Sequence, residues 1–388
     1  MAITLMLLAG AGLLIRSFYE IAHVDAGFNP ERLLTMRLAP ASFKYRGRND
    51  LQIQLARNIL HEVSGLAGVK TAAVSTDVPL LGNPIYIMRF EGRPPVTPSQ
   101  APVANYFAVT PGFFDAMGMR IRRGRAFTER DTADSPLVAV VNQTLVDRYF
   151  PGQDPVGKRL EIAFSTPPNW REIVGVAADV RSAGLDQDTP VQVYTAYLQK
   201  PALLGNAAPP AITVLARAAQ DPASLGAAVK SAILGVDRSQ PVYAVQPMTE
   251  VVAKSIAQRR LSLILLAFFA LSALMLASVG VYGVMSYSVT ERTGEIGIRM
   301  ALGARQSQVL LQVGTQGMVL VMAGLAAGLA AAMVFTRFMN SLLFRVNARD
   351  PVTFGVATGT LIAVSLFACY LPARRAAKVD PIIALRSE

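Results

Sequence analysis

The sequence predicts a membrane protein with four transmembrane α-helices and a large α+β extracytoplasmic domain inserted between helices 1 and 2. Three observations carry this. The C-terminal part holds three long apolar runs without a single Asp, Glu, Lys, Arg or His. A fourth apolar run opens the chain. Between them, residues 17–259 lack any apolar run of about 18 residues and alternate strand-like with helix-like patterns. Composition agrees: 52% hydrophobic and 16% charged residues in a chain of 388 lean away from an average soluble protein, and the length allows two or three domains.

Helix 1 is assigned to residues 1–16. Its run "MAITLMLLAGAGLLI" reaches roughly 22 Å, short for a bilayer core of about 30 Å. No Lys or Arg precedes it, so a signal peptide's basic region is missing. The expectation is a short transmembrane helix whose cytoplasmic beginning is missing from this chain. The runs 261–284, 317–335 and 354–371 reach about 36, 28 and 27 Å. Small residues mark helix contacts: Gly280 and Gly283 in the second span, and the G-x-x-x-G pair Gly324 and Gly328 in the third. Packing within one chain and contact with a second chain are both open.

Orientation follows from Lys and Arg in short loops. Arg292, Arg299 and Arg305 lie between the second and third spans; Arg374, Arg375, Lys378 and Arg386 follow the fourth. The connection between the third and fourth spans carries Arg337, Arg345 and Arg349, so the bias is modest. It places residues 285–316 and 372–388 in the cytoplasm, both termini inside, and 17–259 outside.

In that external domain, 32–40 reads as a strand. Residues 50–66 form an amphipathic helix with Leu51, Leu55, Ile59 and Val63 at four-residue spacing, and 68–80 begins as a strand. The same order recurs: strand 211–218, a helix capped by Asp221 with Pro222 in its first turn, strand 241–248. These two strand–helix–strand units flank a β-rich insertion at about 94–200, with strands at 137–142, 158–164, 171–182 and 191–197.

Several chemistries are set aside. The lone Cys369 allows no intrachain disulfide or Cys-pair zinc site, and His23 and His61 are the only histidines. No Lys/Arg run is interleaved with aromatics, so no nucleic-acid partner is expected. "PGQDPVGKRL" (151–160) comes close to a P-loop, but Arg159 stands where the magnesium-ligating hydroxyl belongs, and a helix-like segment precedes it where a strand should be. Asp179, Asp186 and Asp188 are candidate carboxylates for an external enzyme or receptor site, against a solvated turn as the plainer reading. "NQT" (142–144) matches a glycosylation sequon by chance.

"TERTGEIGIRMALGARQSQV" (290–309) is the most informative stretch. Thr290 or Thr293 can cap a helix, Glu291 and Glu295 suit its early turns, Glu295 and Arg299 are spaced to pair, Ile296 and Met300 share a face, and Gly303 suits its end. Physics alone leaves two readings open: a helix lying on lipid, or one docked into a cytoplasmic partner.

"ERTGEIGIRMALGA" (291–304) and the tail "YLPARRAAKVDPIIALRSE" (370–388) resemble MacB/FtsX-type ABC permeases. "GAGLLIRSF" (10–18), "GFFDAMGMRIRRGRAF" (112–127) and "YFPGQDPVGKRL" (149–160) resemble their first helix and their MacB-like periplasmic core domain, so the resemblance covers essentially the whole chain. It implies a periplasmic core domain at 17–259 and an FtsX-like permease domain at 260–388, in the bacterial inner membrane. It maps an ATPase-coupling helix onto Glu291, Arg292, Glu295, Ile296, Gly297, Arg299, Met300 and Gly303. It implies a non-catalytic permease that holds no cofactor of its own, with ATP used by a separate or fused ABC ATPase, the work being passed mechanically through the second helix to the periplasm. A second permease unit, the lipid bilayer and a periplasmic adaptor or substrate are the other implied partners. Efflux, lipoprotein release and control of division hydrolases are tasks of the same fold. The missing cytoplasmic helix before the first span resembles the second half of a duplicated permease, or a truncated chain.

Overall fold

The computed structural model describes residues 1–40, 42–45, 47–82, 84–94, 97–163, 168–199, 211–292, 295, 306–338, 343–347 and 349–376. The chain divides into two compact units: Met1–His23 with Ala257–Glu388, and Val24–Ile256.

Helix α1 (Ala2–Ala22) belongs to the first unit. Its 21 residues reach about 31 Å, longer than the expected 1–16 because it does not stop at Arg16. The reason is local. The Arg16 guanidinium lies 2.5 Å from Asp350, and Ser17 accepts a hydrogen bond from the Phe344 amide at 2.9 Å, so polar groups that would end an apolar run are satisfied inside the helix.

The second unit is built on one eleven-stranded sheet. In chain order its elements are β1 (Leu33–Leu38), α2 (Ser42–Tyr45), α3 (Asn49–Ser64), β2 (Val69–Ser75), β3 (Ile85–Phe90), β4 (Val103–Val109), α4 (Phe113–Met117), β5 (Ile121–Gly124), β6 (Val138–Asn142), α5 (Gln143–Tyr149), β7 (Arg159–Ile162), β8 (Arg171–Ala177), β9 (Gln192–Ala196), β10 (Ile212–Ala218), α6 (Gly226–Val236), β11 (Val242–Pro247) and α7 (Met248–Ser255). Strands β11-β1-β10-β2 form one limb, with neighbours antiparallel throughout. The two strand–helix–strand units therefore interlock: β10 lies between β1 and β2, and β1 lies between β10 and β11. This is the split βαβ arrangement of a ferredoxin-like sheet. Its helix-facing residues alternate as the pleat demands. Leu34, Met36 and Leu38 on β1 and Ile212, Val214 and Ala216 on β10 join Leu55, Ile59 and Val63 of α3 and Val229 and Ile233 of α6 in one buried core.

The insertion between β2 and β10 closes on itself. Strands run β4-β3-β7-β8-β6-β9, and β9 returns to pair in parallel with β4. The ring joins the limb where Ser75 pairs with Val109, flanked by hydrogen bonds from the Thr76 amide to the Ala108 carbonyl and from the Thr110 amide to the Val74 carbonyl, both at 2.9 Å. It begins at β3, earlier than the β-rich stretch the sequence marks, because "IYIMRF" lacks a clean polar–apolar alternation. Inside, the Tyr106 hydroxyl accepts from Thr195 at 2.9 Å; on the opposite face of β4 and β9, Phe107 stacks on Tyr194 at 5.4 Å, beside Phe113 and Phe114 of α4.

One cluster ties α2 to the end of α6. Asp237 accepts from Lys44 Nζ at 2.7 Å, Tyr45 OH at 2.5 Å, Gln240 Nε2 at 2.9 Å and Ser239 Oγ at 2.7 Å. Burial alone would raise the Asp237 carboxyl, but the hydrogen bonds from Lys44, Tyr45 and Ser239 outweigh it and hold it well below the usual carboxylate range. A depressed folded value means stability that is present above about pH 4, the unfolded value, and is lost as pH falls through the folded one. Asp237→Asn should lower the melting temperature at pH 7 by about 2–4 °C, and the gap to the parent should shrink below about pH 4. Thermal scans of the full chain at both pH values check this; a gap that widens in acid rejects it.

The described residues of the first unit also form α8 (Ala257–Glu291), α9 (Gln306–Phe338) and α10 (Pro351–Ala376). With α1 they are four helices long and apolar enough to cross a membrane. Each outruns its apolar stretch. Lipid dictates only the apolar segment, while backbone hydrogen bonding continues into the polar flanks. The expected loop 285–316 is shortened accordingly, since α8 runs to Glu291 and α9 begins at Gln306.

Candidate coupling site and its frame

The stretch singled out by sequence lies at the α8–α9 connection. Thr290 does not cap a new helix. It lies within α8, where its hydroxyl donates to the Ser286 carbonyl at 2.9 Å. Glu291 closes α8 and does not open a helix, so it sits at the negative end of the helix dipole, where the Tyr287 hydroxyl donates to it at 2.9 Å. The Arg292 amide donates to the Val289 carbonyl, its residue is exposed, and Glu295 is helical and exposed. Ile296, Gly297, Arg299, Met300 and Gly303 lie outside the described residues, as does the Glu295–Arg299 pairing.

Contacts within the first unit give this site a frame. Arg375, in the last turn of α10, donates to the Tyr282 hydroxyl of α8 at 2.7 Å. The basic end of α10 therefore sits beside the last turns of α8. At the opposite end, Arg16 of α1 meets Asp350, which caps α10 by accepting from the Thr353 amide at 2.9 Å and hydroxyl at 2.6 Å. The Thr353 bonds and then Arg16 hold the Asp350 carboxyl below the usual range. Helices α1 and α10 thus run in opposite directions, the order that the distribution of arginines requires.

The small residues separate into two kinds. A Cβ on Gly324 would lie 2.7 Å from Met1 Cβ, and one on Gly328 would lie 3.1 Å from Ala2 Cα and from Leu5 Cδ2. Both glycines seat α1 on α9. A Cβ on Gly280 or Gly283 would meet nothing within 4 Å among the described residues, and Gly280 borders a largely apolar cavity of about 500 Å³ between α1, α8 and α9. Gly317, which sequence reasoning passed over, is where α8, α9 and α10 converge: its Cβ would lie 2.9 Å from both Met285 Sδ and Cys369 Sγ.

The P-loop look-alike joins α5 to β7, a helix to a strand, the reverse of the order phosphate binding needs. Its amides are occupied: Gly157 N–H donates to the Ile173 carbonyl at 2.9 Å and Lys158 N–H to the Pro155 carbonyl at 3.1 Å. Arg159 pairs with Glu91 at 2.9 Å. Of the three candidate carboxylates, Asp179 accepts from Asn142 Nδ2 and the Thr144 amide, both at 2.8 Å, at the start of α5. Among the described residues no three His, Cys, Asp or Glu side chains group closely enough to hold a metal ion. His23 donates from Nδ1 to the Tyr19 carbonyl at 2.8 Å, and His61 is exposed on α3.

Comparison with known proteins gives this frame a relationship. Residues 267–381 match the FtsX-like permease C-terminal model, and residues 1–232 match the MacB-like periplasmic core domain model. A pyoverdine export ATP-binding/permease protein of Pseudomonas putida is 32% identical over 268 residues, 68% of this chain and 40% of that protein. A macrolide export ATP-binding/permease protein of Neisseria gonorrhoeae is 29% identical over 293 residues, 74% of this chain and 44% of that protein. The chain therefore spans less than half the length of these relatives. The crystal structure of the periplasmic region of MacB from Actinobacillus actinomycetemcomitans aligns with 60% of this chain and 95% of that one, at 16% identity and a TM-score of 0.40. On the two family matches, which together reach from residue 1 to residue 381, the chain belongs to the family of permeases that join a MacB-like periplasmic core domain to an FtsX-like permease C-terminal domain.

Proposed function

We propose that the chain is the permease part of an ABC export system, and that it passes work mechanically from a cytoplasmic ATPase to its α+β unit. The observation carrying this is α8. It runs unbroken for 35 residues, about 52 Å, from the residue after Ile256 to the α8–α9 connection. A rod of that length needs no pore to carry a movement across a bilayer. The apolar runs 261–284, 317–335 and 354–371 also offer no Asp, Glu, Lys, Arg or His to line a polar path. In this reading the connection 292–305 is the seat of the ATPase, carried on a separate or fused subunit. ATP binds there and not in this chain. The α+β unit, inserted between the first two membrane helices, lies in the periplasm, where an adaptor or substrate meets it. A second permease unit completes the membrane assembly at the inner membrane. Export is preferred over lipoprotein release or division control because both relatives named above are export proteins.

Native membranes expressing the full chain with its neighbouring or fused ATPase supply the test. Co-purification should retain the ATPase. Glu295→Ala with Arg299→Ala should reduce its recovery by about tenfold, as removal of a buried charge pair at an interface does, while the thermal transition of the α+β unit stays unchanged. No ATPase recovered with the parent chain would sink the proposal.

A further inference from the structure

At the start of the α+β unit, a strap of residues 25–29 lies over β5 and the end of β8. Together with that floor it encloses a cleft of about 650 Å³, lined by Asp25, Asn29, Arg120, Arg122 and Asp179 among others. The strap is fastened by backbone. Asn29 N–H donates to the Met117 carbonyl at 2.8 Å, and Arg181 N–H to the Ala26 carbonyl at 3.1 Å. Arg217 donates to the carbonyls of Ala116, Glu31 and Asn29 at 2.7, 2.7 and 2.8 Å. Gly27, at φ +80°, lets the strap touch Asp179: a Cβ there would sit 2.0 Å from the Asp179 carbonyl oxygen. The walls are therefore fixed before anything binds.

The charges in this cleft are unusual. Arg120 and Arg122 are exposed, and among the described residues neither makes an ion pair or side-chain hydrogen bond. Two carboxylates share the cleft, yet no nitrogen–oxygen approach within 4.0 Å joins either arginine to them. Asp25 uses one oxygen on the Gly27 amide, and Asp179 uses Oδ1 on Asn142 and Thr144. The second oxygen of each carboxylate accepts no hydrogen bond among the described residues. The strap that carries Asp25 is fastened by its backbone, and the two guanidiniums stand unpaired beside the two carboxylates. A purely anionic ligand would meet the carboxylates, and a purely cationic one the guanidiniums. A molecule carrying both charges satisfies each side.

We propose that this cleft binds a zwitterion, an oxyanion held by Arg120 and Arg122 joined to a primary ammonium held by Asp25 and Asp179. Phosphoethanolamine headgroups and the ends of short peptides share this chemistry. The site is distinct from the ATPase connection, and its ligand binding is read without any ATPase.

Calorimetric titration of the full chain in dodecyl maltoside micelles tests it, with glycerophosphoethanolamine and glycylglycine as probes. At least one should bind saturably, and about tenfold more tightly than glycerol 3-phosphate, which offers only the oxyanion, or ethanolamine, which offers only the ammonium. Tighter binding of glycerophosphoethanolamine points to a lipid source, and tighter binding of glycylglycine to a peptide source. Arg120→Ala with Arg122→Ala should abolish binding without shifting the melting temperature, since neither side chain holds the fold. Asp25→Asn should narrow the gap between glycerophosphoethanolamine and glycerol 3-phosphate. No saturable zwitterion binding by the parent chain, or equal affinity for glycerol 3-phosphate, overturns the proposal, and so does unchanged affinity in the folded double variant.

Discussion

Asn142→Ala is expected to cost the α+β unit about 4 kcal/mol, enough to lower its melting transition by roughly 8–16 °C. Asn142 is fully buried at the junction of β6 and α5. Its oxygen accepts from the Leu145 amide at 3.1 Å, capping α5, and from the Gln192 amide at 3.0 Å on β9. Its nitrogen donates to Asp179 Oδ1 at 2.8 Å and to the Pro190 carbonyl at 2.9 Å. Truncation leaves two amides, a carbonyl and a carboxylate oxygen short of a partner. Each such loss costs about 1–3 kcal/mol when buried, and partial compensation brings the sum toward the low end. Asn142→Asp is a sharper probe. It keeps both accepted bonds but sets a second carboxylate against Asp179. That raises a carboxyl pKa in the folded state, so its penalty should be largest at neutral pH and ease as pH falls toward about 4. Fluorescence of Trp170, the only tryptophan, reports the ring transition directly. A melting temperature for Asn142→Ala within about 2 °C of the parent would refute this role.

The triplet that reads as a chance sequon is thus a hub, and the reason it hides is instructive. Sequence patterns report contacts near in the chain. The four-residue spacing of Leu55, Ile59 and Val63 announces α3, and Asp221 announces the helical turn it caps by accepting from the Ala223 amide. The same local logic finds β1, β2, β10 and β11. Pairings between distant strands leave no such trace. Nothing local shows that β10 slips between β1 and β2, or that Asn105 of β4 comes to face Gln192 of β9 and closes the ring. Sites follow the same division. The 291–304 stretch is legible because its residues are consecutive. The cleft of Asp25, Arg120 and Asp179 is not, since three separate segments build it, although the arginine-dense "RIRRGR" is a signal available to be weighed. Helix ends depart from the sequence pattern at Arg16 and Glu291, where a partner from elsewhere, Asp350, or one turn back, Tyr287, satisfies the polar group.

Gly328→Leu is expected to detach α1 from α9, and Gly283→Leu to leave the fold of the single chain untouched. Around Gly328, α1 approaches so closely that Ala2 and Leu5 already touch the space a Cβ would take. Leu5 and Ala9 are fully buried there against Val321, Leu325 and Leu361. Lipid is as apolar as these side chains, so close packing is what holds such helices together. A leucine at this point must push α1 outward and forfeit that packing, a loss of about 2–3 kcal/mol against an overfilled contact. Gly328→Ala asks its neighbours to yield only a few tenths of an ångström and should cost under about 1 kcal/mol. Unfolding of the full chain in mixed micelles of rising dodecyl sulfate content measures all three variants. Gly283 faces open space among the described residues, so a leucine there has nothing of its own chain to displace. If Gly283→Leu weakens the isolated chain as much as Gly328→Leu does, the division between glycines that seat α1 on α9 and a Gly283 facing open space fails. If it is silent in the isolated chain yet disrupts an assembly that Gly328→Ala tolerates, the α8 face around Gly283 is where a second permease unit packs. Gly328 and Gly283 would then serve different partners: α1 of the same chain in one case, a neighbouring membrane helix in the other.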